Sequence, residues 1–162
     1  MPVGVTTLPW HKVYVLNRKK VCMSSRNGPI ILIEDDLDDQ DAIRQLLGEL
    51  KVRNELKVFT NCPDALNYLM DTKDKPMIII SDINIPGMNG LEMRRKITES
   101  ARLRKKAIPF VFLSTSSKIE SVEIAYELQV QGYFEKPNKL SDLKALLRML
   151  LDYWRVCIHP NV

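Results

Sequence analysis

Four places in this chain set a polar group directly behind a short apolar run. Ile30-Ile31-Leu32-Ile33 leads into Glu34-Asp35-Asp36, and Met77-Ile78-Ile79-Ile80-Ser81 into Asp82. Ile108-Pro109-Phe110-Val111-Phe112-Leu113 leads into Ser114, and Gly132-Tyr133-Phe134-Glu135 into Lys136. Short apolar runs bounded by turn signals read as strands covered on both faces. The polar groups therefore stand at strand ends, and in an open parallel sheet the carboxyl edge is where ligands bind. Carboxylates gathered there repel one another and have their pKa values raised. A divalent cation removes the conflict, and magnesium suits oxygen donors that leave room for water and a phosphoryl group. Lys136 adds a compact positive charge, and Ser114 adds a hydroxyl donor. The set fits transfer of a phosphoryl group onto the Asp82 carboxylate as nucleophile, with the metal neutralising charge. Taken singly, each group has an ordinary reading as a turn residue, a helix cap or a solvated lysine. Their joint placement behind strands one, three, four and five is what points to chemistry.

The elements that must hold these groups alternate regularly. Ala42, Ile43, Leu46, Leu47 and Leu50 share one helical face behind Asp38 and Asp39, with some of the acids serving as caps. Leu56–Thr60 reads as a strand, and Pro63–Met70 as a helix with proline in its first turn. Leu91, Met93, Ile97 and Ala101 mark a third helix behind Pro86-Gly87 and Asn89-Gly90. Ile119, Val122, Ile124, Ala125 and Leu128 mark a fourth. Leu140, Leu143, Leu146, Leu147, Leu150 and Leu151 mark a fifth that runs on to Tyr153 and Trp154. Five βα units of this kind imply an α/β fold, with a doubly wound parallel sheet and helices on both faces.

The chain has 162 residues, room for one domain with a real core. At 45% hydrophobic and 27% charged residues it reads as globular. No apolar stretch approaches the roughly 18 residues that would span a membrane. Cys22, Cys62 and Cys157 are odd in number and widely spaced, which argues against a disulfide framework or a zinc site and for a reducing cytoplasm. The net charge of +4 belongs to the start of the chain. Residues 1–28 hold Lys12, Arg18, Lys19, Lys20 and Arg26 and no acid, so 19 basic residues face 20 acidic ones in the remainder. The charge thus gives no argument for nucleic-acid binding by the folded part. Residues 1–28 read as a weakly ordered basic leader, although His11–Leu16 could make a short strand. Met23 offers an alternative start that would make residues 1–22 a mis-assigned extension. The folded domain is expected over 29–154, with 155–162 a short tail.

The ordered motifs Ile-Leu-Ile-Glu-Asp-Asp at 31–36, Ser-Asp-Ile-Asn-Ile-Pro-Gly-Met-Asn-Gly at 81–90, Phe-Leu-Ser-Thr at 112–115 and Gly-Tyr-Phe-Glu-Lys-Pro at 132–137 resemble the receiver domain of two-component response regulators. That resemblance implies the flavodoxin-like strand order 2-1-3-4-5. It also implies that Asp82 accepts phosphate from a phosphohistidine on a sensor histidine kinase or phosphotransfer protein. Magnesium would be bound by Asp35, Asp82 and the backbone carbonyl of Asn84, with Glu34 acting through metal-bound water. Ser114 and Lys136 would contact the phosphoryl group, and Tyr133 would move with the Ser114 loop. Asn84 and Ser116 would tune hydrolysis, and the Lys136–Pro137 bond would be cis. Ser114 stands where threonine is commoner in the family, and Thr115 where alanine is. Val52–Leu56 and Asp152-Tyr153-Trp154 resemble stand-alone regulators that partner phytochrome-type histidine kinases, although simple packing also accounts for Tyr153 and Trp154.

The expected function is a binding switch rather than a turnover enzyme, with output through an unknown downstream protein. The fourth helix, fifth strand and fifth helix form the expected switching surface and a candidate homodimer face. Two alternatives remain open. A haloacid-dehalogenase-like aspartyl-phosphate phosphatase would need an acid two residues after the nucleophile, where Asn84 stands. A non-phosphorylated docking pseudo-receiver would not need Asp82, its acid neighbours and Lys136. The basic run Arg94, Arg95, Lys96, Arg102, Arg104, Lys105 and Lys106 reads as a solvated face, with an acidic partner surface as the alternative.

Overall fold

The computed structural model describes residues 27–158; the leader, with its His11–Leu16 strand and the Met23 start, lies outside them. Five parallel strands form one sheet: β1 (Ile30–Ile33), β2 (Leu56–Phe59), β3 (Ile78–Ser81), β4 (Phe110–Ser114) and β5 (Gly132–Glu135). Their lateral order is β2-β1-β3-β4-β5, the expected flavodoxin-like arrangement. The helices are α1 (Leu37–Glu49), α2 (Cys62–Asp71), α3 (Gly90–Glu99), α4 (Ala101–Lys105), α5 (Ile119–Glu127) and α6 (Leu140–Val156).

The unbroken apolar strands follow from having two covered faces. Successive side chains point to opposite sides, so Ile31 and Ile33 meet Ala65 and Leu69 of α2, Met93 and Ile97 of α3 and Ala125 of α5. Ile30 and Leu32 meet Ile43, Leu46 and Leu47 of α1 and Leu147, Leu150 and Leu151 of α6. Each fully buried Leu or Ile contributes about 1.5–3 kcal/mol relative to exposure. β2 and β5 lie at the sheet edges and are less buried.

The single third helix expected from Leu91 to Ala101 is two helices. Ser100 adopts extended backbone (φ −78°, ψ 112°), closes α3 and caps α4, with its hydroxyl accepting from the Leu103 N–H at 3.3 Å. A serine that can satisfy a free backbone N–H starts a helix as readily as it continues one. Pro109 lacks an N–H for the ladder, so β4 begins at Phe110, two residues later than expected. α6 continues to Val156, past the expected boundary at 154.

Two members of the basic run are half-buried and bonded to backbone carbonyls. Arg94 donates from Nε to the Leu128 carbonyl at 3.0 Å and from Nη2 to the Gln129 carbonyl at 2.8 Å. Its guanidinium lies 5.4 Å from the Phe110 ring centroid. Lys106 Nζ donates to the carbonyls of Leu69 at 2.6 Å and Thr72 at 2.8 Å. Both cations serve the carbonyl ends of α5 and α2, where intrahelical partners run out.

Candidate functional site

The strand order brings the carboxyl ends of β1, β3, β4 and β5 side by side. Ile33 pairs with Ser81, Ser81 with Phe112, and Ser114 with Glu135. The Asp82 N–H donates to the Ile33 carbonyl at 2.9 Å, and the Lys136 N–H to the Ser114 carbonyl at 2.9 Å. The ladder therefore continues one residue past the strands and fixes the backbone of both candidate residues.

Lys136 is the centre of the site. Its Nζ lies 2.5 Å from Glu34 Oε2, 2.7 Å from Asp39 Oδ2 and 3.2 Å from Asp82 Oδ2. Burial alone would push the ammonium pKa down. The hydrogen bonds to Asp39 and Glu34 and the charges of Glu34 and Asp82 outweigh it and hold the pKa above the ordinary lysine value. Glu34 is only 2% exposed. Burial raises its carboxyl pKa above the usual carboxylate range, against the lowering pull of the Lys136 bond. The Asp36 N–H bonds Glu34 Oε1 at 3.2 Å.

Asp82 is buried, and its Oδ1 accepts from the backbone N–H groups of Ile83 at 2.5 Å and Asn84 at 3.2 Å. Its other oxygen faces Lys136. Ser81 Oγ donates to the Asp82 carbonyl at 2.7 Å. Gly90 is required for close approach: a Cβ there would lie 2.4 Å from the Asp82 carbonyl oxygen. Asn89 and Glu92 cap that start of α3 reciprocally.

Ser114 is fully buried at the end of β4, and its hydroxyl accepts from the Ser116 N–H at 3.3 Å. The Tyr133 hydroxyl donates to the Ser116 carbonyl, tying β5 to the loop after β4. Burial and the Asp82 charge raise its phenol pKa. Asp35, Asn84 and Thr115 are exposed. No group of three His, Cys, Asp or Glu side chains among the described residues is arranged to hold a metal ion. The ammonium lies between Glu34 and Asp82, and Asp35 faces solvent.

The expected cis bond at Lys136–Pro137 is absent; no cis peptide occurs among the described residues. The trans isomer of an X–Pro bond is favoured by about 0.5–1 kcal/mol, and Lys136 reaches its three carboxylates with that isomer.

Two residues contribute that sequence reading did not assign to the site. Gln40, 6% exposed, donates from Nε2 to the Glu34 carbonyl at 2.7 Å. Asp39 bonds Lys136 across 97 residues of sequence. Asp39 resembled a capping acid, and α1 does cap itself with an acid: Asp36 accepts from the Asp39 N–H. The only local signal for the Asp39 contact was a second acid three residues after the cap.

The response regulator receiver domain family matches residues 30–148. This chain belongs to that family. The receiver is 28% identical over 140 residues to the response regulator Rcp1 of Synechocystis sp., covering 82% of this chain and 94% of that protein. Among solved structures, the phosphorylated cyanobacterial phytochrome response regulator RcpA superposes with a TM-score of 0.73 at 27% identity, covering 80% of this receiver and 95% of that chain. The manganese-bound form of Rcp1 superposes with a TM-score of 0.70 at 26% identity, covering 82% and 97%.

Proposed function

We propose that this receiver is a phosphorylation-controlled binding switch in which Asp82 is the phosphoacceptor. The observation that carries the reading is the convergence of Glu34, Asp82 and Lys136 from three strand ends onto one ammonium. A histidine kinase or phosphotransfer protein presents a phosphohistidine. The P–N bond to the imidazole breaks, a P–O bond to the Asp82 carboxylate forms, and the imidazole leaves with the bonding pair. The backbone N–H groups of Ile83 and Asn84 hold the acceptor carboxylate in place. Lys136 offers its charge to the incoming phosphoryl oxygens, and Ser114 offers a hydroxyl from the adjacent strand end. The ties from Ser114 and Tyr133 to Ser116 give the loop after β4 a means of responding. Asn84 and Ser116 flank the acceptor and tune hydrolysis of the acyl phosphate.

The donor set also suits a cation. Four carboxylates (Glu34, Asp35, Asp39 and Asp82) stand at this edge against one ammonium, and every donor is a hard oxygen. Magnesium binds through one or two carboxylates and keeps several waters, a requirement that does not need three gathered side chains. Asp35, Asp82 and the Asn84 backbone carbonyl would hold it, with Glu34 acting through its water. Bound there, it would neutralise charge between the acceptor and the phosphoryl oxygens.

The donor is best read as a phytochrome-type histidine kinase, supported by the likeness to RcpA and Rcp1. Output runs through protein contacts on α5, β5 and α6, where Ile119, Tyr126, Leu140, Met149 and Tyr153 are each more than half exposed. A second copy of the chain is the first candidate for that face. A phosphatase of the haloacid dehalogenase kind is disfavoured, because the Asn84 amide is too weak an acid and base to transfer a proton. A pseudo-receiver is disfavoured by the intact set of Asp82, Glu34 and Lys136.

The test is incubation with acetyl phosphate and magnesium followed by mass measurement. The wild-type chain gains one base-labile, acid-stable phosphate, and Asp82→Asn gains none. Catalytic turnover of phosphate esters, or no modification at all, would overturn the reading.

A further inference from the structure

Lys136 has one partner more than the proposed chemistry requires. An ammonium has three hydrogens, and here three carboxylates, those of Glu34, Asp39 and Asp82, take them. A phosphoryl oxygen can therefore gain a bond to Lys136 only when a carboxylate gives one up. The distances show where the ammonium rests: 2.5 Å from Glu34 and 2.7 Å from Asp39, but 3.2 Å from Asp82. A phosphoryl group on Asp82 would draw it across the site, away from the other two.

The two near partners differ in what losing Lys136 costs them. The Glu34 side chain is 3% exposed, so without the ammonium it would be a buried, uncompensated charge. The Asp39 side chain is 43% exposed, and water can solvate it as the ammonium leaves. Asp39 is thus the partner that is exchanged. Its backbone is pinned independently, through its N–H to Asp36 Oδ1 at 3.0 Å, so the side chain can let go without unwinding α1.

We infer that Asp39 is a positioning residue that competes with the phosphoryl group for the Lys136 ammonium and so restrains phosphorylation of Asp82. The inference rests on the reading of Asp82 as phosphoacceptor. Asp39 touches no reacting atom; it acts through Lys136.

The experiment compares rates of phosphorylation by acetyl phosphate at saturating magnesium. Asp39→Asn removes the charge, keeps the shape and leaves the Asp36 cap untouched. It is expected to react about 1.5-fold to fivefold faster than wild type, the range for loss of a partly exposed ion pair. Asp39→Ser, a second charge-removing variant, is expected to do the same, and Asp39→Glu to return the rate toward wild type. In a Lys136→Gln background Asp39→Asn is expected to give no acceleration. Equal or slower reaction of Asp39→Asn and Asp39→Ser overturns the inference, as does undiminished acceleration without Lys136. A wild-type chain that accepts phosphate while Asp39→Asn shows no gain overturns this inference alone. A wild-type chain that accepts none overturns the phosphoacceptor reading and the inference together.

Discussion

One ammonium among several carboxylates makes Lys136 the residue on which both stability and the proposed chemistry should depend. Removing it leaves Glu34 buried beside Asp82 with no counter-charge. Lys136→Met should lose about 3–5 kcal/mol of stability, the range for breaking a buried pair. Millimolar magnesium should recover much of that loss, because it supplies the missing charge. Urea unfolding with and without magnesium measures both effects. The pH dependence follows from the raised lysine pKa. The unfolded chain releases this proton near 10.5, whereas the folded chain holds it to higher pH. The stabilisation is therefore complete below about 10.5 and lost as pH rises through the folded value. The alkaline decline should be shallower in Lys136→Met; an identical decline in both proteins would contradict this origin. Glu34, Asp82, Ser114 and Lys136 were legible as site candidates because each directly follows an apolar strand. Asp39 was not, because a helix-start acid has an ordinary capping explanation and its partner lies 97 residues away.

At the scale of elements, the turn from β3 into α3 closely constrains the backbone of Asp82, the proposed acceptor. A Cβ on Gly90 would meet the Asp82 carbonyl oxygen at 2.4 Å, the Ile83 Cα at 3.1 Å and the Phe112 ring at 2.9 Å. Alanine in place of glycine ordinarily helps a helix by about 0.8–1 kcal/mol. Here overpacking, typically about 1–3 kcal/mol, should win because two of the three atoms are backbone. Gly90→Ala should be destabilised by about 1–2 kcal/mol in urea unfolding. It should also accept phosphate more slowly, since the clash displaces the acceptor's own backbone. The Asn-Gly pair at 89–90 was visible in the sequence as a turn signal, and the helix behind it was expected. The break at Ser100 was not, since Leu91, Met93, Ile97 and Ala101 continue a helical spacing across it. The backbone turns there because the serine hydroxyl serves the Leu103 N–H.

At the scale of the molecule, apolar residues stay exposed on helices from both sides of the sheet. Ile119 and Tyr126 of α5 and Leu140, Met149 and Tyr153 of α6 leave apolar surface uncovered, and Met149 and Tyr153 line a pocket with Phe134 of β5. Exposed apolar area of this kind marks a contact surface when it is contiguous. Tyr133, on β5, links it to the site through the Ser116 carbonyl. Phosphorylation should therefore change self-association. Light scattering over a concentration series should show a larger dimer fraction with acetyl phosphate and magnesium than without. Asp82→Asn should show no change, and Tyr126→Glu should abolish the dimer. A monomer under every condition would remove the second copy as occupant of this face.

The strand positions, the faces they present and the groups at their ends were determined by sequence, because side-chain periodicity and turn residues act over a few neighbours. The strand order came with the family resemblance rather than from periodicity. Tertiary structure alone decided that Asp39 joins Lys136 and that Arg94 and Lys106 satisfy helix-end carbonyls. Those outcomes depend on where distant elements come to rest, and on long flexible side chains finding the nearest unpaired charge or carbonyl there. No local pattern encodes that distance.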